Sequence, residues 1–337
     1  MKELKNEAQQ NSFQFLSSDF VPLLAAECEV NMIHKLSINK LKKYIPVYIM
    51  LLPGFLYLLI NNYIPMLGIS IAFKDVNFAK GLLKSDWAGF SNFEYLFKTP
   101  DAFRITRNTI LYNVAFIVVN LVIALLFAIL LSEIRSKLAV KVYQTTILLP
   151  YMISMVIVSY LAYAFLAGDT GLLNGILRFF GLNSVSWYSS PIYWPFILIF
   201  VNCWKYVGYG TVIYLASVLG IDGELYEAAA VDGISKLQEI RYITLPMLRP
   251  TVITMVLLNI GRIFYSDFGL FYQVPMNSGA LLNATNTIDT YVYRGLITLG
   301  DIGMSSAAGV YQSIVGFILI LLANWFTRKY SSENALF

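Results

Sequence analysis

Six long runs of apolar residues alternate with shorter polar segments along this chain, and the pattern predicts a membrane protein. A transmembrane helix needs about 20 consecutive, mostly apolar residues. The runs lie at residues 44–66, 109–132, 143–167, 192–218, 250–273 and 307–328. We therefore predict an all-α membrane protein with six transmembrane helices. Residues 1–43 form a polar tail, and residues 44–330 form one transmembrane domain.

A polar island with the sequence EAAAVDGISKLQEIRYITLP separates the fourth run from the fifth, from Glu227 to Pro246. The alanines after Glu227 favour a helix, and Gly233 ends it, because glycine is a poor helix former that readily takes a left-handed turn. Ser235 can cap a second short helix, with Gln238 completing a capping box. Pro246 ends that helix or begins the next. The island predicts a helix, a turn and a helix that dock as a unit into a groove on another protein.

Composition supports the membrane assignment. The chain is 58% hydrophobic and 13% charged, whereas soluble domains average about 25% charged residues. The net charge of +4 is small and dispersed and gives no argument for nucleic-acid binding. Cys28 and Cys203 do not suggest a disulfide framework, and His34 has no neighbouring ligand cluster that would indicate a metal site.

Lysine and arginine residues next to the spans predict the orientation. They are frequent in the tail, in the 133–142 link, in the central loop 219–249 and at the C-terminus, but the 168–191 and 274–306 loops carry one each. Both termini and the central loop are therefore predicted to be cytoplasmic. Residues 67–108 disagree, because they carry six basic residues and yet must lie outside.

No catalytic set is evident. The sequence has no phosphate-binding G-x-x-x-x-G-K-[S/T] motif, and its single histidine cannot plausibly serve a nucleophilic triad. We expect a transport subunit that is not an enzyme and binds no cofactor. If ATP drives transport, the nucleotide must bind another chain.

The polar island also carries a resemblance. Its residues follow the pattern Glu-Ala-Ala, three residues, Gly233, nine residues, Ile243, one residue and Leu-Pro. This pattern resembles the signature loop of ABC importer permeases. The resemblance implies the type I importer permease fold, with a cytoplasmic coupling loop (219–249) between helices 4 and 5 that seats in a cleft of the ATP-hydrolysing subunit. The coupling residues it implies are Glu227, Ala228, Ala229, Asp232, Gly233, Ile243, Leu245 and Pro246.

Other segments resemble one branch of that family. These segments are Tyr63-Ile64-Pro65-Met66, Trp87-x-Gly89-Phe90 and Thr290-Tyr291-Val292-Tyr293-Arg294-Gly295. They look like sequence blocks of permeases that import oligosaccharides and polysaccharide fragments, alginate importers among them. The resemblance covers roughly residues 44 to 328. It implies a second homologous permease, two ATPase subunits that bind ATP and Mg²⁺, and an external solute-binding protein. A self-sufficient secondary carrier is the alternative, although no inverted repeat is visible.

Conduction should appear as polar residues inside the spans, where a charge costs about 2.5–3.5 kcal/mol. Asn202, Lys205 and Tyr209 share one face of the fourth span, and a second polar group lies in the fifth. Basic residues there would suit an acidic saccharide, and tyrosines would offer flat faces to sugar rings. Alternatively, Arg262 and Asp267 neutralise each other and the asparagines join helices. The candidate path residues are Asn202, Lys205, Tyr209, Asn259, Arg262, Tyr265, Asp267, Tyr272 and Gln273.

Overall fold

The computed structural model describes residues 44–330, and within them the chain is almost entirely helical. The predicted tail, residues 1–43, lies outside the described residues. The described chain divides into a first unit that ends at Gly68 and a second unit that begins at Ile69. Helix α1 (Ile45–Leu58) in the first unit has a proline in its first turn and continues through a π-helical turn, Leu59–Tyr63, into α2 (Ile64–Met66). A 3₁₀ segment, Leu67–Phe73, follows.

A small folded segment precedes the second span. Strands β1 (Lys74–Asp75) and β2 (Asp86–Trp87) pair antiparallel around a 3₁₀ turn at Leu82–Lys84, and α3 (Ser91–Lys98) follows them. The sequence pattern did not predict these strands. Phe73 and Trp87 stack with ring centroids 5.6 Å apart, which holds the start of the hairpin to its end.

Acidic neighbours neutralise much of the basic excess in this segment. The lysine and arginine nitrogens lie 2.5, 2.6 and 2.9 Å from carboxylate oxygens in three pairs, Lys80–Asp86, Lys98–Glu94 and Arg104–Asp101. The hydrogen bond and charge of Lys98 lower the pKa of Glu94. The segment that disagrees with the charge rule therefore carries less net positive charge than its six basic residues suggest.

Within residues 44–330, five helical segments are long and apolar enough to span a membrane, and a bent pair makes a sixth. The second span is α4 (Pro100–Ser132), the fourth is α8 (Trp194–Leu219), and the sixth is α14 (Ile302–Tyr330). The third is the bent pair α5 (Lys137–Met152) and α6 (Met155–Leu166). The prediction of an all-α membrane protein with six spans is confirmed for the described residues.

The third span is not the straight helix that its apolar run predicts. Helices α5 and α6 meet at 96°. Pro150 lies in the last turn of α5, and Ile153 is extended. Ser154 then caps α6 by accepting a hydrogen bond from the Ile157 amide at 3.4 Å. A proline near a helix end and a capping serine together favour ending one helix and starting another.

The fifth span is also interrupted. Helix α11 (Leu245–Ile260) ends at Gly261, and helical geometry returns only in a π-helical segment, Gly269–Gln273. The predicted run 250–273 is therefore a helix, a break at residues 261–267 and a second helical piece. The polar residues Arg262 and Asp267 in this segment were predicted to line a path, and no break was predicted.

Shorter elements connect the spans. Helix α7 (Leu172–Phe179) and 3₁₀ turns at Trp187–Ser189 and Pro191–Tyr193 lie between spans 3 and 4. Helices α9 (Gly223–Val231) and α10 (Lys236–Glu239) and a π-helical turn, Ile240–Thr244, lie between spans 4 and 5. A 3₁₀ turn at Gly279–Leu281 and helices α12 (Leu282–Thr285) and α13 (Ile288–Ile297) lie between spans 5 and 6.

Small residues let the central helices approach closely. Ala124 and Ala128 of α4 are buried in one cluster with Val207 and Leu215 of α8. A Cβ atom at Gly208 would lie 2.1 Å from the carbonyl oxygen of Ile147, so α8 crosses α5 at a point where only glycine fits. Close approach of this kind is typical of helix packing in membranes.

Candidate functional site

The island between spans 4 and 5 folds as the predicted helix, turn and helix. Asp222 caps α9 by accepting a hydrogen bond from the Glu224 amide at 3.0 Å. Gly233 ends it with φ +72°. The Ile234 amide donates to the Ala229 carbonyl at 3.3 Å, as expected of a Schellman motif. Left-handed geometry at this position favours glycine.

The second half begins with the predicted capping box. The Ser235 side chain accepts from the Gln238 amide, and the Gln238 side chain accepts from the Ser235 amide at 2.8 Å. Pro246 lies in the first turn of α11, so it begins the next helix rather than ending α10. Because the π-helical turn joins α10 to α11 without a break, the coupling loop continues directly into the fifth span.

The predicted coupling residues differ in exposure. Ala229 is buried and Ile243 is half-buried. The exposed members are Glu227, Ala228, Asp232, Gly233, Leu245 and Pro246. Three apolar side chains that the sequence reasoning missed are also exposed here: Val231 at 88%, Leu237 at 78% and Tyr242 at 66%. Their signal was available, since each is a large apolar residue inside a polar island.

Side chains fasten the two halves of this loop to each other and to the second span. Tyr226 of α9 and Thr244 of the π-helical turn share a hydroxyl contact of 3.2 Å. Lys236 pairs with buried Glu239 at 2.9 Å and with Glu133, next to the end of α4, at 3.3 Å. Movement of the loop would therefore reach the second span as well as the fifth.

A cavity of about 440 Å³ lies among spans 2, 4 and 5. Its volume falls within the range of about 300–1,000 Å³ that is usual for sites that hold small organic ligands. It contains most of the predicted path residues: Asn202, Tyr209, Asn259, Arg262, Tyr265 and Asp267. Other side chains also line it, among them Asn113, Asn120, Tyr151, Tyr206 and Tyr214.

The polar groups of the cavity are partly paired. The Tyr206 hydroxyl donates to Asp267 Oδ2 at 2.5 Å. Asn120 Nδ2 donates to Asn202 Oδ1 at 2.8 Å, which joins spans 2 and 4. Within residues 44–330, no carboxylate lies within ion-pair distance of Arg262, so the alternative in which Arg262 and Asp267 neutralise each other directly is not observed.

Aromatic rings form one wall of the cavity. Tyr151 and Tyr209 stack with centroids 5.2 Å apart and planes inclined by 14°. Tyr206 meets Tyr151 edge-on at 6.0 Å. Tyr209 and Tyr265 are each about half exposed, which leaves ring surface accessible to a bound molecule. Tyr151 lies one turn beyond Ile147 in α5, where that helix packs against Gly208 of α8, and so belongs to this wall.

The structure places Lys205 outside the cavity lining. Its side chain is buried, and its ammonium group donates to the carbonyl oxygens of Pro150 and Tyr151, both at 3.3 Å, and of Ile153. These carbonyls lie where α5 ends and the regular helical donors are lost. Among them, the Pro150 carbonyl also accepts from the Ile153 amide at 3.2 Å. Lys205 is therefore positioned to satisfy the break in the third span, and this geometry does not support its predicted place on the path.

Tyr272 and Gln273 also lie outside the cavity lining. Tyr272 stacks on Phe268 with centroids 4.9 Å apart and meets Tyr293 edge-on at 5.1 Å. The Arg294 guanidinium lies 6.0 Å from the Tyr272 ring, and burial lowers the pKa of Arg294. Tyr272 thus packs against helix α13. Among residues 44–330, no group of three or more His, Cys, Asp or Glu residues is arranged to hold a metal ion.

Comparisons with known proteins agree on one family. Residues 120–332 match the model of a family described as binding-protein-dependent transport system inner membrane component. Protein LplB of Bacillus subtilis is 35% identical over 86% of this chain and 90% of its own length. The polygalacturonan/rhamnogalacturonan transport system permease protein YteP of the same organism is 36% identical over 87% of this chain and 90% of its own length.

Solved structures give the same result. A bacterial ABC transporter involved in the import of the acidic polysaccharide alginate matches with a TM-score of 0.80 and 31% identity, over 87% of this chain and 98% of the matched chain. The bacterial alginate ABC transporter in complex with an alginate pentasaccharide-bound periplasmic protein matches with a TM-score of 0.79 and 31% identity, over 87% and 97%.

Proposed function

The chain belongs to the binding-protein-dependent transport system inner membrane component family, and we propose that its cavity forms part of the translocation path for an acidic oligosaccharide. It is a multi-pass inner-membrane permease of an ABC importer for oligosaccharides. The predicted permease fold is confirmed by its likeness to the alginate importer structure. The secondary-carrier alternative is not supported by these relatives.

The proposed assembly contains this chain, a second homologous permease, two ATPase subunits and an external solute-binding protein. ATP and Mg²⁺ bind the ATPase subunits, and this chain binds no cofactor of its own. The exposed apolar side chains Val231, Leu237 and Tyr242 support the ATPase contact, because exposed apolar patches mark interaction sites. The relative in complex with a periplasmic protein supports the external partner.

The proposed orientation puts both termini and the coupling loop in the cytoplasm. The excess of lysine and arginine in those segments supports it. Residues 67–108 are the one contrary signal, and the other four segments outweigh it. In this orientation, helix α13 and the rest of the 274–306 loop face the solute-binding protein.

Arg262 carries the proposal of an acidic substrate. Arg262 belongs to the cavity lining, it is exposed, and no described carboxylate pairs with it. A guanidinium binds a carboxylate through two parallel hydrogen bonds, and exposed tyrosine rings nearby can pack against sugar rings. The alginate and polygalacturonan importers among the relatives support this substrate class.

Uptake by cells that express the complete transporter tests this proposal. Radiolabelled trigalacturonate and alginate pentasaccharide are the acidic probes, and maltotriose is the neutral comparison. We expect Arg262→Gln to lower uptake of the transported acidic probe about tenfold, with Arg262→Lys in between, because a charge-assisted hydrogen bond contributes about 1.5–3 kcal/mol.

Arg328→Gln is the matched control, because Arg328 lies in the last turn of α14, away from the cavity lining. It should transport like the wild type at equal amounts of assembled complex. Wild-type uptake by Arg262→Gln would remove this residue from the path. Uptake of maltotriose alone by the wild type would refute an acidic substrate.

A further inference from the structure

The break in the fifth span exposes backbone groups that a membrane cannot hydrate, so other elements must satisfy them. Asn113 of α4 donates to the carbonyl oxygens of Ile263, at 2.9 Å, and Tyr265, at 3.3 Å. Gln312 of α14 donates to the Phe264 carbonyl at 2.7 Å. Two neighbouring spans therefore hold the break in its non-helical form.

A third contact comes from outside the spans, from Asp289 of α13. Its Oδ2 accepts hydrogen bonds from the Ser266 amide at 2.7 Å and from the Ser266 hydroxyl at 2.6 Å. Its Oδ1 accepts from Gln312 Nε2 at 3.1 Å. One carboxylate thus joins the loop helix, the broken fifth span and the sixth span.

The start of α13 is itself held firmly. Ile288 is fully buried, and its amide donates to Thr109 Oγ1 of α4 at 3.1 Å. Thr287 and Thr290, both fully buried, form a capping box at the first turn. Asp289 is the second residue of α13 and lies in this first turn. A displacement of α13 would therefore move Asp289 and, through its hydrogen bonds, Ser266.

Ser266 lies between two residues of the cavity. Tyr265 and Asp267 line the cavity on either side of it, and Arg262 lies at the start of the same break. A shift of Ser266 would therefore move the groups proposed to meet the substrate. Coupling between two sites typically changes an affinity about 5- to 150-fold.

We propose that Asp289 is a positioning residue through which the α13 loop sets the arrangement of the cavity-lining break at residues 261–267. This inference rests on the proposed function, in which the loop faces the solute-binding protein. Docking of that protein on the loop would then alter the cavity by way of Asp289. Asp289 touches neither the substrate nor the nucleotide.

The test compares Asp289→Asn with Asp301→Asn in the complete transporter reconstituted in proteoliposomes. Asparagine keeps the size of Asp289 but turns an N–H group toward one of its donors. Asp301 is the matched control, since it lies in the same loop and caps α14 through the Met304 amide at 2.8 Å without touching the break. The measurement is ATP hydrolysis against solute-binding protein concentration, with whichever acidic probe the wild type transports.

Asp289→Asn should lower the maximal stimulation of ATP hydrolysis by about fivefold while the half-saturating concentration of binding protein stays unchanged. A merely structural defect would raise that concentration or lower the amount of complex. If Asp289→Asn does not assemble, Ser266→Ala removes the hydroxyl contacts with Asp289 and with Thr287 Oγ1 but keeps the Ser266 amide bond to Asp289, and should give the same change in smaller degree. Stimulation equal to that of Asp301→Asn in every assembled variant would overturn the proposal.

Amide hydrogen exchange separates this inference from the proposed function. Asp289→Asn should speed exchange of the Ser266 amide about tenfold relative to Asp301→Asn, because the carboxylate acceptor is lost. A wild-type complex that transports neither acidic probe would refute the proposed substrate while leaving this exchange measurement valid. Unchanged exchange at Ser266 would refute the positioning role even in an active transporter.

Discussion

The coupling loop and the cavity are built in opposite ways. The turn of the coupling loop is fixed by contacts between near neighbours, such as the Ser235 amide with Gln238 and the Ile234 amide with the Ala229 carbonyl. The cavity is fixed by contacts between distant residues, such as Asn120 with Asn202, 82 positions apart. A function that needs a rigid exposed unit can be encoded locally, whereas one that needs an enclosed space cannot.

The largest effect is expected from replacing Gly233, because the turn of the coupling loop depends on contacts between near neighbours. At φ +72° a side chain is strained, at a cost of roughly 1–2 kcal/mol, and the Schellman turn would not hold its shape. We expect Gly233→Leu to lower uptake more than about tenfold while ATP hydrolysis continues, because the docked loop no longer transmits movement. Uptake and ATP hydrolysis are measured together in proteoliposomes.

Gly223→Leu is the control for that change. Gly223 begins α9 on the same surface, its φ is not positive, and a Cβ atom there would meet no atom within 4 Å. It should retain coupling. Equal loss in both variants would mean that bulk on this surface matters and that the left-handed turn does not.

Replacing Lys205, which makes contacts with distant residues, should lower stability and assembly and leave coupling intact. Lys205→Met leaves the Tyr151 and Ile153 carbonyls without this donor, whereas the Pro150 carbonyl still accepts from the Ile153 amide at 3.2 Å. Each buried polar group that is left unsatisfied costs about 1–3 kcal/mol. We expect a lower melting temperature and about fivefold less assembled complex, with the remaining complex still coupled. Size-exclusion chromatography and thermal unfolding of the purified complex measure this.

Lys137→Met, at the exposed start of α5, is the matched control and should behave as wild type. If Lys205→Met had a normal melting temperature and a specific loss of acidic-probe uptake, that result would support the predicted place of Lys205 on the substrate path.

The smallest effect is expected at Glu133, which joins the coupling loop to the end of the second span through Lys236. Its contact with Lys236 at 3.3 Å is largely exposed, and exposed ion pairs contribute about 0–1 kcal/mol. Glu133→Gln should change uptake by less than about twofold, and the difference should vanish in high salt because salt screens exposed charges. Uptake measured at two salt concentrations decides this. A large, salt-independent loss would show that this ion pair is a principal route from loop to span.

Much of the fold could be predicted because apolar run length and local caps carry it. The six runs, the helix, turn and helix at residues 227–246, and the Ser235 capping box were all predicted and are all present. The bend at Ile153 and the break at residues 261–267 were not predicted, because the proline, glycine and polar residues at these places also occur in continuous membrane helices. What stabilises each interruption is a polar side chain from a distant element.

The path residues show the same limit. Helical spacing put Lys205 on one face with Asn202 and Tyr209, and spacing alone could not tell a cavity from a helix break. The structure turns Lys205 to the α5 carbonyls and leaves Asn202 and Tyr209 in the cavity. Tyr151 was missed because only the tertiary fold brings α5 beside α8, where Gly208 meets Ile147.

The sequence by itself determined the membrane class, the number of spans, the coupling loop and its turn at Gly233, since each depends on composition or on neighbours within a few residues. Only the tertiary structure decided which polar residues line the cavity, that Lys205 serves a helix break, and that Asp289 of the loop reaches Ser266. The physical reason is that a polar group in a membrane span must have a hydrogen-bonding partner. Which partner lies near it depends on the tertiary fold and not on local spacing in the sequence.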